Sequence, residues 1–342
     1  MQMTDIAQTN LLTGTNGVGK TSVLEAIFLA LNPVAHHVAW LVTHRQRPPF
    51  RTAQGTPPWR DLFPQQRPTN SLRIDVQADA VPHRWSVRLT EAEPKGAVPI
   101  AIRPDAQSGL ALGPSSVSQA VLDVQLSIDD SEVSQTRWNH SLFWSADNSL
   151  QAFPTLKPPV PTGAYLAGYG SHEQDCAAFG AVQASGADQV QRLIEALQPI
   201  EPRLRRLLIT VDPYPRLNAD LGSEGGVMPL DLLGDGFRRA VTYMLEVLSC
   251  KAEVILIDEI ENGLHYSHYA ELWSTLGSFS KASGIQLFAV THSVEFLRAA
   301  LTPDDTTAAA WRLDRGKNGH VAVARFDGED ARAALSFGVE LR

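Results

Sequence analysis

The stretch Leu11–Ser22, LLTGTNGVGKTS, constrains the fold of this chain more than any other. Two apolar residues lead into a glycine-rich turn, and the turn leads into an apolar-periodic segment. Thr9 to Thr13 reads as a short buried strand. Gly19 to Leu31 reads as a helix with Val23, Ala26, Ile27, Ala30 and Leu31 recurring on one face, and Pro33 stops it. Gly14, Gly19, Lys20 and Thr21 fit the pattern G-x-x-x-x-G-K-[ST]. Glycine lets the backbone through Thr15, Asn16, Gly17 and Val18 fold tightly, so that its N–H groups converge on an anion. The helix that follows, opening with Lys20, Thr21 and Ser22, adds unpaired donors and a positive dipole end. In such a cradle Lys20 reaches the β- and γ-phosphates of a nucleotide and the Thr21 hydroxyl ligates Mg²⁺. Alone, the pattern does not separate an ATPase from a GTPase or a kinase.

Three later segments narrow it. VILIDEIENGLH reads as a fully apolar parallel strand, Val254 to Ile257, with Asp258 at its carboxyl end, where open α/β sheets place ligands. There Asp258 holds Mg²⁺ directly or through water, and Glu259 polarises the attacking water as general base. Two acids at a solvated strand end are the plainer alternative. PLDLLGDGFRRA, Pro229 to Ala240, is a polar glycine-rich loop feeding a helix, with Gly234, Asp235 and Gly236 at the junction. Arg238 and Arg239 suit either a contact to DNA or phosphate or, more simply, a solvated helix face. FAVTHS ends a second apolar strand with His292, placed to touch the γ-phosphate or the attacking water. Lys20 and Asp258 lie at opposite ends of the chain, so a large insertion separates them or the second half of the fold carries the second motif.

Between these segments, residues 45–70 are rich in Pro, Arg and Gln and predict an extended excursion anchored by Trp59, Leu62 and Phe63. LRIDVQA and RWSVRLT alternate as half-buried antiparallel strands do, and strands dominate from Ser71 to Phe143. Residues 154–163 predict a linker. Helices are expected at 186–198 and 201–208, a helix from Val294 to Leu301, and a hairpin at 307–326. The expected organisation is one domain over 1–342, with a β-rich insertion at 45–150, a helical signature-loop region at 180–250 and the second half of the nucleotide-binding core at 251–342. A net charge of −8 gives no global basic surface for nucleic acid. Cys176 and Cys250, without a CxxC or His/Cys cluster, fit neither a disulfide framework nor a zinc site. With no apolar run of membrane-spanning length, a cytoplasmic protein with no membrane partner is expected.

Together LLTGTNGVGKTSVLEAIFLAL, WRDLF, LLGDGFRRA, LIDEIENGLHYS and THSVEFL, with the ending GVELR, resemble the AAA-family ATPases of the OLD-like group, relatives of ABC, SMC and RecF ATPases. The resemblance implies an α/β P-loop fold: an ABC-type ATPase head with a mixed central sheet, an inserted antiparallel β-rich subdomain and a helical signature subdomain. It implies ATP with Mg²⁺ sandwiched in a homodimer, with Gly234, Asp235 and Gly236 closing on the partner's nucleotide. It also implies a separate effector protein, such as a nuclease, in phage defence or DNA transactions, with DNA as a further partner. The chain departs from the pattern in several places. Gly234 replaces the usual signature serine, His265 replaces the usual aspartate after the acidic strand, and only Met1–Thr13 precede Gly14. The start therefore lies upstream or the sheet lacks an edge strand. The stretch after His292 is too short for a Toprim nuclease domain. Gln46, Gln54, Gln65 and Gln66 are equal candidates for the glutamine loop. A nucleotide-gated scaffold with little turnover, and the ATPase subunit of a transporter, are the alternative functions.

Overall fold

The computed structural model describes residues 1–46, 56–63, 66–67, 71–79, 82–93, 118–129, 136–145, 150–152, 157–167, 171–211, 213–223, 225–301, 308–316 and 319–336. The strands are β1 (Thr9–Gly14), β2 (Leu72–Gln77), β3 (Arg84–Ala92), β4 (Ser118–Ile128), β5 (Thr136–Ser145), β6 (Leu150–Ala152), β7 (Gly163–Ala167), β8 (Arg206–Val211), β9 (Pro215–Asp220), β10 (Val227–Pro229), β11 (Val254–Asp258), β12 (Gln286–Val290), β13 (Ala308–Arg315) and β14 (Val321–Asp327). The helices are α1 (Lys20–Leu31), α2 (Ala35–Gln46), α3 (His172–Ala184), α4 (Ala187–Leu197), α5 (Asp235–Ser249), α6 (Tyr269–Ser283), α7 (Val294–Ala300) and α8 (Gly328–Ser336). The chain divides into two compact units, Met1–Leu24 with Thr162–Arg342, and Glu25–Pro161.

The first unit is built on a six-stranded sheet in the order β14-β13-β1-β12-β11-β7. Five strands run parallel, and β14 is an antiparallel edge formed by the hairpin expected at the tail. Strands covered on both faces must be apolar throughout, and β1, β11 and β12 bury Leu11, Leu12, Ile255, Leu256, Ile257, Leu287, Ala289 and Val290. Among the buried polar residues of β1, Asn10 is satisfied: its Oδ1 accepts from Trp311 Nε1 at 2.9 Å and its Nδ2 donates to the Ala7 carbonyl at 2.7 Å. β12 stands between β1 and β11, with Leu12 opposite Val290 and Ile257 opposite Ala289. The carboxyl ends of these three strands therefore share one sheet edge.

Helices α3, α4, α5 and α6 join the core of this unit through Phe179, Leu193, Leu197, Val241, Met244 and Trp273. The small sheet β10-β9-β8 adds Leu207, Leu217 and Ala219. The helix expected at 201–208 is corrected here: residues 201–205 turn and Arg206 opens β8. A ladder to β9 outweighs local helix propensity, with Arg205 N donating to the Asp220 carbonyl at 2.9 Å and Arg206 Nε to the Asp220 carboxylate at 2.7 Å. The solvated face expected for Arg238 is also corrected. Its guanidinium lies 2.6 Å from Asp231 and 3.8 Å from the buried Asp175, which accepts a hydrogen bond from Thr242 at 2.9 Å.

The second unit carries the antiparallel meander β2-β3-β4-β5-β6. Val87, Leu89, Leu122, Val124 and Leu126 face its core, as the alternating pattern requires. Trp59 and Phe63 are buried and Leu62 is half-buried, in a 3₁₀ turn over Pro58–Leu62. Trp59 Nε1 and Arg60 both donate to Glu91, at 3.0 and 2.6 Å. Arg45 pairs with the buried carboxylate of Glu25. Gln66 donates to Asp61 at 2.8 Å within this unit. Gln54, Gln65 and the GVELR ending lie outside the described residues, and the side chain of Gln46 is likewise outside them.

Candidate functional site

At the end of β1 the chain turns through Gly14, Gly17 and Gly19, all at positive φ (138°, 73° and 110°). Gly14 is required twice over: a Cβ there would meet the Leu313 carbonyl oxygen of β13 at 2.4 Å. Thr15, Asn16, Gly17, Thr21 and Ser22 are exposed, whereas Val18 is buried. Lys20 is buried at the start of α1, and its Nζ donates to the carbonyls of Gly14 (2.6 Å) and Thr15 (3.2 Å). Arg315, at the end of β13, donates to the Gly17 carbonyl at 2.9 Å.

Asp258 ends β11, and the Tyr165 hydroxyl on neighbouring β7 donates to its Oδ2 at 3.3 Å. Burial pushes the Asp258 carboxyl above its ordinary value; the Thr21 hydroxyl opposes this, the Glu259 charge reinforces it and Tyr165 opposes it. Thr21 and Asp258, from opposite ends of the sequence, thus lie near one another. Glu259 is exposed and left-handed (φ 50°), and its Oε2 accepts from Asn262 Nδ2 at 2.9 Å. A non-glycine residue held in that conformation costs about 1–3 kcal/mol, of the kind stored at functional sites. His292 follows β12, and its Nδ1 lies 3.0 Å from the Asn16 side-chain oxygen of the glycine-rich turn. Ser293 then caps α7 by accepting from Phe296 N at 3.0 Å.

Among the described residues, no group of three His, Cys, Asp or Glu side chains forms a metal cage. The Oδ1 of Asp258 is nevertheless buried without a hydrogen-bond partner, in a carboxylate that lies near Thr21. One carboxylate and one hydroxyl fit Mg²⁺, which keeps several waters and takes phosphate oxygens for its other positions.

Asp235 and Gly236 lie against the turn that follows β11. Gly234 (φ 89°) precedes α5 with open space where a Cβ would project. A Cβ on Gly236 would meet the Gly263 carbonyl oxygen at 2.3 Å, so the start of α5 and the Gly263 turn touch backbone to backbone. His265 spends its ring nitrogen on the next turn, with Ser267 N at 3.4 Å. The structure therefore brings Gly14–Ser22, Asp258, Glu259 and His292 to one sheet edge, and seats Asp235 and Gly236 on the Gly263 turn. Sequence reasoning missed Tyr165, Glu261, Asn262 and Arg315 around this edge. Glu261 and Asn262 lay within the segment already singled out by its acids, whereas Tyr165 and Arg315 sit in ordinary strand sequences and carry no such signal.

The profile of a family described as "AAA domain, putative AbiEii toxin, Type IV TA system" matches residues 111–298, more than half of the chain. The chain belongs to this AAA-domain family. A curated relative of the AAA-domain protein, an "ATP/GTP phosphatase" of Helicobacter pylori (strain ATCC 700392 / 26695), is 36% identical over 73 residues. That match covers 20% of each chain, so the AAA-domain protein spans about a fifth of the relative's length. Among solved structures, an SmcHead bound to the C-winged helix domain of ScpA is similar at TM-score 0.46 and 13% identity, over 96% of this chain and 92% of that one. The SMC head domain from Thermotoga maritima is similar at TM-score 0.35 and 13% identity, over 93% and 90%. The expected fold class, an ABC-type P-loop head, stands on the sheet order, the glycine-rich turn at its centre and the antiparallel unit inserted in the chain. Among the described residues no helix is long and apolar enough to cross a membrane.

Proposed function

We propose that this AAA-domain protein binds ATP with Mg²⁺ and hydrolyses it to ADP and phosphate. The observation that supports the reading best is the contact of His292 Nδ1 with the Asn16 side chain of the glycine-rich turn, with Thr21 of the same segment lying near Asp258. Lys20 exchanges its loop carbonyls for β- and γ-phosphate oxygens, while Gly14–Gly19 and Ser22 frame the phosphates with backbone and hydroxyl donors. Thr21 and Asp258 hold the metal, which supplies charge neutralisation at the phosphates. Glu259 takes the proton of the attacking water, and His292 contacts the γ-phosphate.

The protein works as a homodimer of the OLD-like group. Gly234, Asp235 and Gly236 close on the partner's nucleotide, and closure regulates an effector, a nuclease being the leading class, in phage defence or on DNA in the cytoplasm. The test is turnover and ATP binding by wild type, Lys20→Ala and Glu259→Gln. Removing the charged donors of Lys20 weakens ATP binding about 10–100-fold. Glu259→Gln keeps binding, lowers kcat about 10²–10⁴-fold and accumulates the dimer. A wild type that neither binds nor hydrolyses ATP refutes the proposal. The missing hydroxyl at Gly234 favours one second reading, a nucleotide-gated scaffold, which predicts ATP-dependent dimerisation without phosphate release.

A further inference from the structure

The geometry points to Glu261 as the positioning residue that sets His292 against the glycine-rich turn and couples it to the acidic turn. The functional consequence rests on the ATPase reading above. Three successive backbone N–H groups fix the histidine turn. Thr291 N donates to the Leu12 carbonyl at 3.1 Å, which continues the ladder with β1. Ser293 N donates to the Thr291 hydroxyl at 3.1 Å, a bond internal to the turn. His292 N donates to Glu261 Oε1 at 2.6 Å, and of the three this bond reaches the acidic turn. A carboxylate accepting at that length makes a charge-assisted bond, about twice as strong as a neutral one.

Glu261 is itself held. Asn262 N donates to the Glu259 carbonyl at 2.9 Å, Leu264 N to the Glu261 carbonyl at 3.1 Å, and Ile260 N to the Val290 carbonyl at 3.1 Å. The turn that bears Glu259 is therefore pinned to the end of β12 on one side and grips the His292 peptide on the other. The second oxygen of Glu261, Oε2, is buried without a hydrogen-bond partner. Its charge reaches the phenols of Tyr243 on α5 and Tyr269 on α6; burial raises both, and Glu261 raises them further. Glu261 thus joins the acidic turn to the histidine turn.

The experiment compares Glu261→Gln, Glu261→Asp and Glu261→Ala in the full chain, reading kcat and KM for ATP, the melting temperature, and the His292 backbone and Asn16 side-chain amides by TROSY NMR. Gln keeps an acceptor at the same reach, so kcat stays within about threefold and the His292 amide proton stays downfield. Asp keeps the charge but is one methylene short, and Ala has no acceptor. Both move the His292 amide upfield, shift the Asn16 amide, and lower kcat about 10–100-fold with KM within about threefold. A His292 amide unmoved in Ala, or a kcat that tracks melting temperature instead of acceptor reach, overturns the inference. A wild type without turnover sinks the ATPase reading instead, and the His292 and Asn16 resonances then decide the positioning role by themselves.

Discussion

Replacing Gly236 by Ala sets two effects of opposite sign against each other. Gly236 lies in the first turn of α5, and by helix propensity alone an alanine there stabilises by up to about 1 kcal/mol. The new Cβ, however, falls 2.3 Å from the Gly263 carbonyl oxygen and 2.9 Å from both the Gly263 carbonyl carbon and Leu264 Cα. Ordinary contact needs roughly 1 Å more. All three obstacles are backbone atoms, in a turn whose Gly263 is itself left-handed (φ 79°), so no side chain can swing aside. Overpacking of this kind costs about 1–3 kcal/mol. The clash outweighs propensity, leaving a net loss of about 1–2 kcal/mol, a fall of roughly 2–8 °C in the melting temperature of a unit this size. Gly180, inside α3, is the internal control. Its Cβ direction meets nothing within 4 Å, so Gly180→Ala should raise the melting temperature by a few degrees. Differential scanning calorimetry of the two variants decides. A Gly236→Ala protein as stable as wild type refutes the backbone contact, and with it the seating of the signature-like loop on the Gly263 turn.

The remaining expectations concern the glycine-rich turn and pH. Gly14→Ala joins a φ of 138° to a 2.4 Å clash with the Leu313 carbonyl, so it should cost about 3 kcal/mol or more and abolish ATP binding. Gly17→Ala meets open space and should cost only about 1–2 kcal/mol for its left-handed φ, by thermal melting and ATP titration. In the second unit, burial first and the neighbouring His36 second push His37 down to about 4 from its ordinary 6.5. The unfolded chain therefore takes up the proton first as pH falls. The stability present above pH 6.5 is lost between 6.5 and about 4, by about 1–2 kcal/mol after discounting for solvent screening at a half-buried ring. Urea denaturation from pH 7 to 4 should show this slope, and His37→Gln should flatten it.

Legibility of the sequence followed from where each segment finds its partners. β11 and β12 carry apolar runs because both faces of a parallel strand are covered, so VILI and LFAV announce themselves, whereas β1 was legible from Leu11 and Leu12 leading into the glycine-rich turn. The meander is legible for the opposite reason: one covered face leaves the alternation of RWSVRLT. EPRLRRLL was misleading, since its local propensity is helical and its strand identity comes from the Asp220 pairing. Asp258, Glu259 and His292 stood out as candidates because their residue types at a strand end suit the proposed chemistry. Glu261, Tyr165 and Arg315 were not, because each acts through one long-range bond: to the His292 peptide, to the Asp258 carboxylate and to the Gly17 carbonyl.

Those long-range bonds explain why the candidate site depends on β12 as much as on the glycine-rich turn. β12 carries none of the candidate phosphate-binding residues, yet it alone separates β1 from β11 in the sheet order. Its register sets Val290 opposite Leu12, and the ladder continues past both strands: Thr291 N reaches the Leu12 carbonyl, and Ile260 N reaches the Val290 carbonyl. A slip of one residue along β12 turns each side chain to the other face of the sheet. It would remove His292 from Asn16 and its peptide from Glu261 in one step, while the G-x-x-x-x-G-K-[ST] sequence stayed intact. The apolar residues Leu287, Phe288, Ala289 and Val290, all buried, hold that register. Packing in a strand without any of the proposed catalytic groups therefore fixes the distance between the two turns that carry those candidates.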